Sequence, residues 1–105
     1  SYYYNKWEMC YWNMADKKHK LFAYSLWCFE NGRPSLGQYD GINFLRYNNS
    51  TKKMSFIDTP GFEVEYGDIS YALPRTGKDI IVTRWDKNGK KTEKTLKWNG
   101  SRFSY

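Results

Sequence analysis

Apolar residues, half of them aromatic, recur at two-residue spacing along this chain, and the polar interruptions between them are short and rich in Asn, Gly, Pro and Lys. That period is the pleat of a β-strand, with successive side chains on opposite faces. From residue 20, "KLFAYSLWCFENG" is a short, continuous aromatic and apolar run closed by Asn31-Gly32, which favours a buried strand over a helix. Upstream, "YYYNKWEMCYWNM" groups Met9, Trp12 and Met14 loosely, as a helix would, but its density of Tyr and Trp favours a strand. "ADKKHK" between them reads as a polar turn.

Beyond the loop "GRPSLGQYDG", the segments "INFLRY" and "MSFI" flank "NNSTKK" as a second hairpin. "DTPG" then breaks the chain, because Pro60 has no amide hydrogen for a ladder and Gly61 tolerates left-handed geometry. "FEVEY" is a regular alternator that predicts a strand, with Phe62, Val64 and Tyr66 on one face and Glu63 and Glu65 on the other. "ISYAL" alternates in the same way, and Pro74 to Gly77 turns the chain into "KDIIVTRW". The last hairpin turns over Asp86-Lys87-Asn88-Gly89. It is either a type I turn closed by a left-handed glycine or a two-residue primed turn at Asn88-Gly89. The primed turn sets Arg84 opposite Glu93 and Asp86 opposite Lys91; the bulged form slips the partners by one.

These elements predict an all-β fold. It is an antiparallel meander of about eight short strands in a single domain spanning residues 1–105, closed as a small barrel or a two-layer sandwich. Hydrophobic residues make up 40% of the chain and aromatic ones 20%, so burial comes from flat rings as much as from aliphatic packing. The net charge of +6 makes acidic partners such as nucleic acid, anionic lipid or anionic glycan electrostatically possible without selecting one. Three lysine-bearing turns, at 17–20, 52–53 and 87–91, follow the first, third and seventh strands of a meander, which places Lys17, Lys18, Lys52, Lys53, Lys90 and Lys91 at one basic end of the sheet. Lysine at exposed strand positions also discourages edge-to-edge pairing, so these residues need no ligand to account for them.

Candidate catalytic chemistry is sparse, and the chain reads as non-enzymatic. His19 is the only histidine, set in a lysine-rich turn where nothing nearby orients it. Glu63, Glu65, Asp58 and Asp68 suit a carboxylate-dependent hydrolase only if a pocket joins them; alternation makes them a solvent face instead. No phosphate-cradling motif, metal-ligand spacing or cofactor signature is present, and no apolar run is long enough to cross a bilayer. Cys10 and Cys28 lie on neighbouring strands. They form either one cross-strand disulfide, centred at residue 19 and adding roughly 3 kcal/mol, or two buried thiols. The chain begins at Ser1 with neither an initiating methionine nor an apolar leader, a pattern compatible with a processed mature form.

The aromatic surplus has two readings. Trp27, with Phe22, Leu26 and Phe29 around it, is core, whereas Tyr2, Tyr3 and Tyr4 cannot all be buried on one strand. Tyr3, Trp7, Trp12, Trp85 and Trp98 form the candidate platform for stacking on sugar rings or bases.

"YWNMADKKHKLFAYSLWCFENGRP", "GQYDGINFLRYNNSTKKM" and "LPRTGKDIIVTRWDKNGKKTEKTLKWNGSRF" together resemble small exported β-rich proteins of unknown function from gut Bacteroidetes. The similarity runs from about residue 11 onward. It implies export and an all-β fold, and it supplies no catalytic or binding residues. The expectation is a non-catalytic extracytoplasmic binding domain for a glycan or protein, with nucleic-acid binding through a basic, aromatic-rich end as the competing class.

Overall fold

Strict alternation along residues 19–30 fixes the frame of the molecule. In the computed structural model, which describes residues 2–34, 41–65 and 67–105, the odd residues from Leu21 to Phe29 are buried and the even ones between them only partly so. The described residues contain nine strands and no helix. β1 (Tyr3–Asn13), β2 (His19–Glu30), β3 (Arg33–Pro34), β4 (Gly41–Asn48) and β5 (Met54–Ile57) make the first sheet. β6 (Ile69–Ala72), β7 (Ile80–Trp85), β8 (Lys91–Trp98) and β9 (Phe103–Ser104) make the second. All pairings are antiparallel, in the orders β1-β2-β4-β5 and β6-β7-β8-β9, with β3 beside β2 on its β4 edge. The fold is therefore all-β, as expected, and the two sheets do not close into a barrel.

The core draws buried side chains from both sheets, and rings from the two sheets meet within it. Trp27 and Tyr71 lie at 6.1 Å between centroids, and the Trp27 indole N–H donates to the Tyr71 carbonyl at 3.2 Å. Trp12 crosses in the same way, donating to the Lys78 carbonyl at 2.8 Å and meeting Phe103 edge-on at 5.1 Å. Burying an aromatic body of this size contributes roughly 2–3 kcal/mol, provided that its polar atom is bonded, and both indoles meet that condition. Trp12 is thus a core residue and no part of an exposed platform.

The last hairpin adopts the bulged alternative. Trp85 lies opposite Lys91 and Arg84 opposite Thr92, the Gly89 N–H donates to the Asp86 carbonyl at 3.0 Å, and Gly89 has φ of 81°. The Asp86 carboxylate accepts from the Asn88 and Lys90 amides at 2.8 and 2.9 Å, which favours a type I turn with a left-handed closing residue over the primed turn.

Two sequence expectations need correction. "FEVEY" is not a strand: residues 62–65 join no ladder, and Tyr66 lies outside the described residues. The alternation is real, since Phe62 and Val64 pack on the core while Glu63 and Glu65 face solvent, but this segment carries the chain from one sheet to the other. Its backbone partner is a side chain, the Tyr71 hydroxyl, which accepts the Glu65 N–H at 2.9 Å. Burial periodicity reports which face is apolar and is blind to whether a neighbouring strand is present. In the loop "GRPSLGQYDG", Arg33 pairs with Glu30 and Pro34 with Phe29, while residues 35–40 lie outside the described residues.

Candidate binding face

β1 and β2 pair over eleven positions without a bulge, and the register puts Trp7 opposite Leu26, Met9 opposite Tyr24 and Tyr11 opposite Phe22. These side chains point away from the core. β4 continues the row with Leu45 and Tyr47, and β5 with Phe56 and Met54. Trp7, Met9, Tyr11, Met54 and Phe56 are 59, 60, 54, 46 and 69% exposed, respectively. Taking about 200 Å² for each full side chain, these five alone leave on the order of 600 Å² of apolar surface in solvent. That is the upper end of the largest patch on an ordinary monomer, and such patches mark interaction sites.

Three of the rings form a contiguous row across β1, β2 and β4. Tyr11 stacks on Phe22 at 5.5 Å, and Phe22 meets Tyr47 edge-on at 6.1 Å. The uncharged polar groups on this face include the amides of Asn5, Asn13 and Asn43 and the hydroxyls of Tyr3, Tyr11, Tyr24 and Tyr47, all placed there by the same register. Lys20 lies on it with its ammonium 5.5 Å from the Tyr11 ring centroid, and Glu30 accepts from the Tyr3 hydroxyl at 3.0 Å at the far end. Among the described residues the centre of the face holds no carboxylate.

The residues proposed from sequence are divided by this geometry. Tyr3 and Trp7 share the open face. Trp85 and Trp98 belong to the second sheet, both half-buried and packed against the core, Trp98 at 4.9 Å from Phe103 and Trp85 beneath the Lys91 ammonium at 5.7 Å. Lys17 and Lys18 adjoin Lys52 and Lys53, because the Asn49 N–H donates to the Lys18 carbonyl at 2.9 Å and ties the two tips together. Lys90 and Lys91 are elsewhere. Arg33, at the opposite end of β2, donates to the Asp86 carbonyl at 3.2 Å, so the 86–90 turn sits at the other end of the molecule. A single basic end is thus ruled out. Counting strands fails here because the lost "FEVEY" strand changes the parity of every later turn.

A Cys10–Cys28 disulfide is likewise ruled out. The observed hairpin sets Cys10 opposite Ala23 and Cys28 opposite Asn5, and the two sulfurs are not bonded to each other. From Ala23 to Cys28 the strand rises roughly 16 Å, against the ~4.4–6.8 Å between Cα atoms that a disulfide spans. The side chains also leave on opposite faces, Cys10 with the inner row and Cys28 with the outer. Burial pushes the Cys10 thiol up, which makes it a poor nucleophile.

His19 also differs from expectation. It opens β2, its Nδ1 lies 2.6 Å from Asp16 Oδ2, and its Nε2 lies 3.5 Å from Asn48 Nδ2, so the ring is oriented between the two hairpin tips. The same aspartate accepts the Lys18 and His19 amides at 2.8 and 3.0 Å, and bonding to the His19 ring holds its carboxyl below the usual carboxylate range.

The four carboxylates fall into two pairs, Glu65 with Asp68 beside Arg84 and Asp58 with Glu63, and among the described residues no one pocket joins all four. Asp68 pairs with Arg33 at 2.8 Å and Glu65 pairs with Arg84. Asp58 and Glu63 border a cavity of about 570 Å³ lined mainly by Phe44, Phe56, Phe62 and aliphatic neighbours, with neither histidine nor cysteine in its wall. Among the described residues no cluster of three or more His, Cys, Asp or Glu side chains is placed to hold a metal ion, and no helix is long and apolar enough to cross a membrane. No protein-family model, curated protein or solved structure matches the chain.

Proposed function

We propose that this is a non-catalytic, extracytoplasmic binding domain, built as a two-layer β-sandwich, whose outer face on the first sheet takes an uncharged glycan. The supporting observation is the composition of that face, with wide exposed rings at Trp7, Tyr11 and Phe56 interleaved with the Asn5 and Asn43 amides, and with no charged side chain of the described residues at its centre. Ring faces stack on the C–H faces of sugars, and amides exchange hydrogen bonds with hydroxyls at no cost in buried charge. The location outside the cytoplasm follows from the resemblance in sequence to exported proteins.

A glycan array with affinity electrophoresis in neutral polysaccharides tests the reading. Retention is expected to be nearly independent of salt and to fall about tenfold in Trp7→Ala or Phe56→Ala, each ring contributing on the order of 1 kcal/mol. Retention that these substitutions leave unchanged would refute it. A second reading, polyanion binding, is favoured by the joined tips that bring Lys17, Lys18, Lys52 and Lys53 together. It differs in assay, since contacts to phosphate or sulfate weaken steeply as salt rises.

A further inference from the structure

We propose that β1 pairs edge to edge with β1 of a second copy of this chain, antiparallel about a two-fold axis through Trp7. The Met14 N–H donates to the His19 carbonyl and the Asn31 N–H to the Tyr2 carbonyl, so the even residues of β1 bond to β2. Alternation then turns the N–H and C=O groups of Asn5, Trp7, Met9 and Tyr11 to the other edge. Among the described residues no strand pairs there. A groove of about 540 Å³ runs alongside, walled by Trp7–Tyr11 and by Leu73–Gly77, and the Leu73 N–H holds its far wall by donating to Glu8 Oε1 at 3.2 Å.

Exposed edge strands are normally blunted by proline, by a bulge or by repeated lysine. β1 has no proline or bulge over its eleven residues, and it carries one lysine and one glutamate, Lys6 and Glu8. That pair sets the register. A two-fold axis at residue 6 opposes lysine to lysine, and one at residue 8 opposes glutamate to glutamate. An axis at Trp7 instead sets Lys6 opposite the partner's Glu8 twice, Trp7 opposite its own copy, and Asn5 opposite Met9. Opposite charges directly across a ladder stabilise it and like charges destabilise it. The contact is isologous and closed, so it stops at a dimer. It also runs the ring-bearing outer face unbroken across both copies, a consequence independent of what that face binds.

Sedimentation velocity from about 1 to 500 μM tests the assignment by locating a dimer dissociation constant in that range. Met9→Pro removes an amide that faces the open edge and none that bonds to β2, so the monomer should keep its near-ultraviolet circular dichroism and lose the dimer. Lys6→Glu should raise the dissociation constant about tenfold, and adding Glu8→Lys should restore it to within about threefold. The restoration does not depend on how the proline variant folds. A chain monomeric throughout, a dimer indifferent to Met9→Pro, or a charge reversal that fails to rescue would each overturn the proposal. So would an edge that captures unrelated extended peptides while the chain itself stays monomeric.

Discussion

Replacing Gly61 by alanine measures how firmly the crossover is seated on the second sheet. Gly61 has φ of 92°, and a β-carbon there would lie 2.2 Å from the Phe103 carbonyl oxygen and 2.9 Å from its nitrogen. Both atoms are backbone, so no side chain can swing aside. Left-handed geometry costs an alanine roughly 1–2 kcal/mol. Relieving the overlap requires the crossover to lift from β9, which breaks the bond from the Phe103 N–H to the Pro60 carbonyl at 3.0 Å, worth about 1 kcal/mol. It also loosens Phe103 among Trp12, Trp98 and Phe62, at 5.1, 4.9 and 6.0 Å, a packing loss of about 1–2 kcal/mol. The expected destabilisation is therefore about 3–5 kcal/mol. Gly89→Ala is the control, because Gly89 has nearly the same φ, 81°, but nothing within 4 Å of the added carbon, and its cost should stay near 1 kcal/mol. Urea unfolding followed by tryptophan fluorescence should move the midpoint down by about 2 M for Gly61→Ala and about 0.5 M for Gly89→Ala, taking m near 2 kcal/mol/M. Losses equal within about 0.5 kcal/mol would refute the claim that backbone crowding, rather than φ alone, governs position 61.

Other outcomes follow from particular side chains. Ser25 is fully buried, and its hydroxyl has no hydrogen-bond partner among the described residues; Ser25→Ala should raise stability by about 1 kcal/mol and Tm by about 4–8 °C in calorimetry. Asp16 has its carboxyl lowered chiefly by the His19 ring, so its contribution is present at neutral pH and lost as pH falls through that depressed value. Asp16→Asn should therefore be less stable than the native chain at neutral pH, with the gap closing under acid unfolding below the ordinary aspartate range. Cys10 and Cys28 lie on opposite faces of the hairpin, so a thiol count in denaturant should find both, and reductant should leave Tm unchanged; a shift in Tm on reduction would contradict the register.

Most elements were legible in the sequence because their causes are local. Alternation in "KLFAYSLWCFE" and "KDIIVTRW" needs only the pleat, and the turn at Asp86–Gly89 needs only a short acidic side chain and a residue that accepts positive φ. Trp27 was recognisable as core for the same reason. The site was legible only in fragments. Tyr3 and Trp7 could be named, but the wider face of Met9, Tyr11, Met54 and Phe56 could not, because an apolar run such as that of β2 reads as buried on both sides. The signal that could have exposed it is the odd-numbered apolar row of β1, whose residues outnumber what one core can cover.

By itself, the sequence determined that the chain makes antiparallel strands, where most of them turn, and which side chains share a strand face, since each depends on residues adjacent in the chain. Tertiary structure alone decided that the β1–β2 hairpin folds about Asp16 and Lys17 and so separates the cysteines, that "FEVEY" crosses between sheets instead of joining one, and that the lysine turns lie at both ends. Those outcomes turn on register and on which sheet covers which face. Both are set by the packing of rings such as Trp12, Trp27, Tyr71 and Phe103, residues far apart in the chain whose mutual fit no local pattern records.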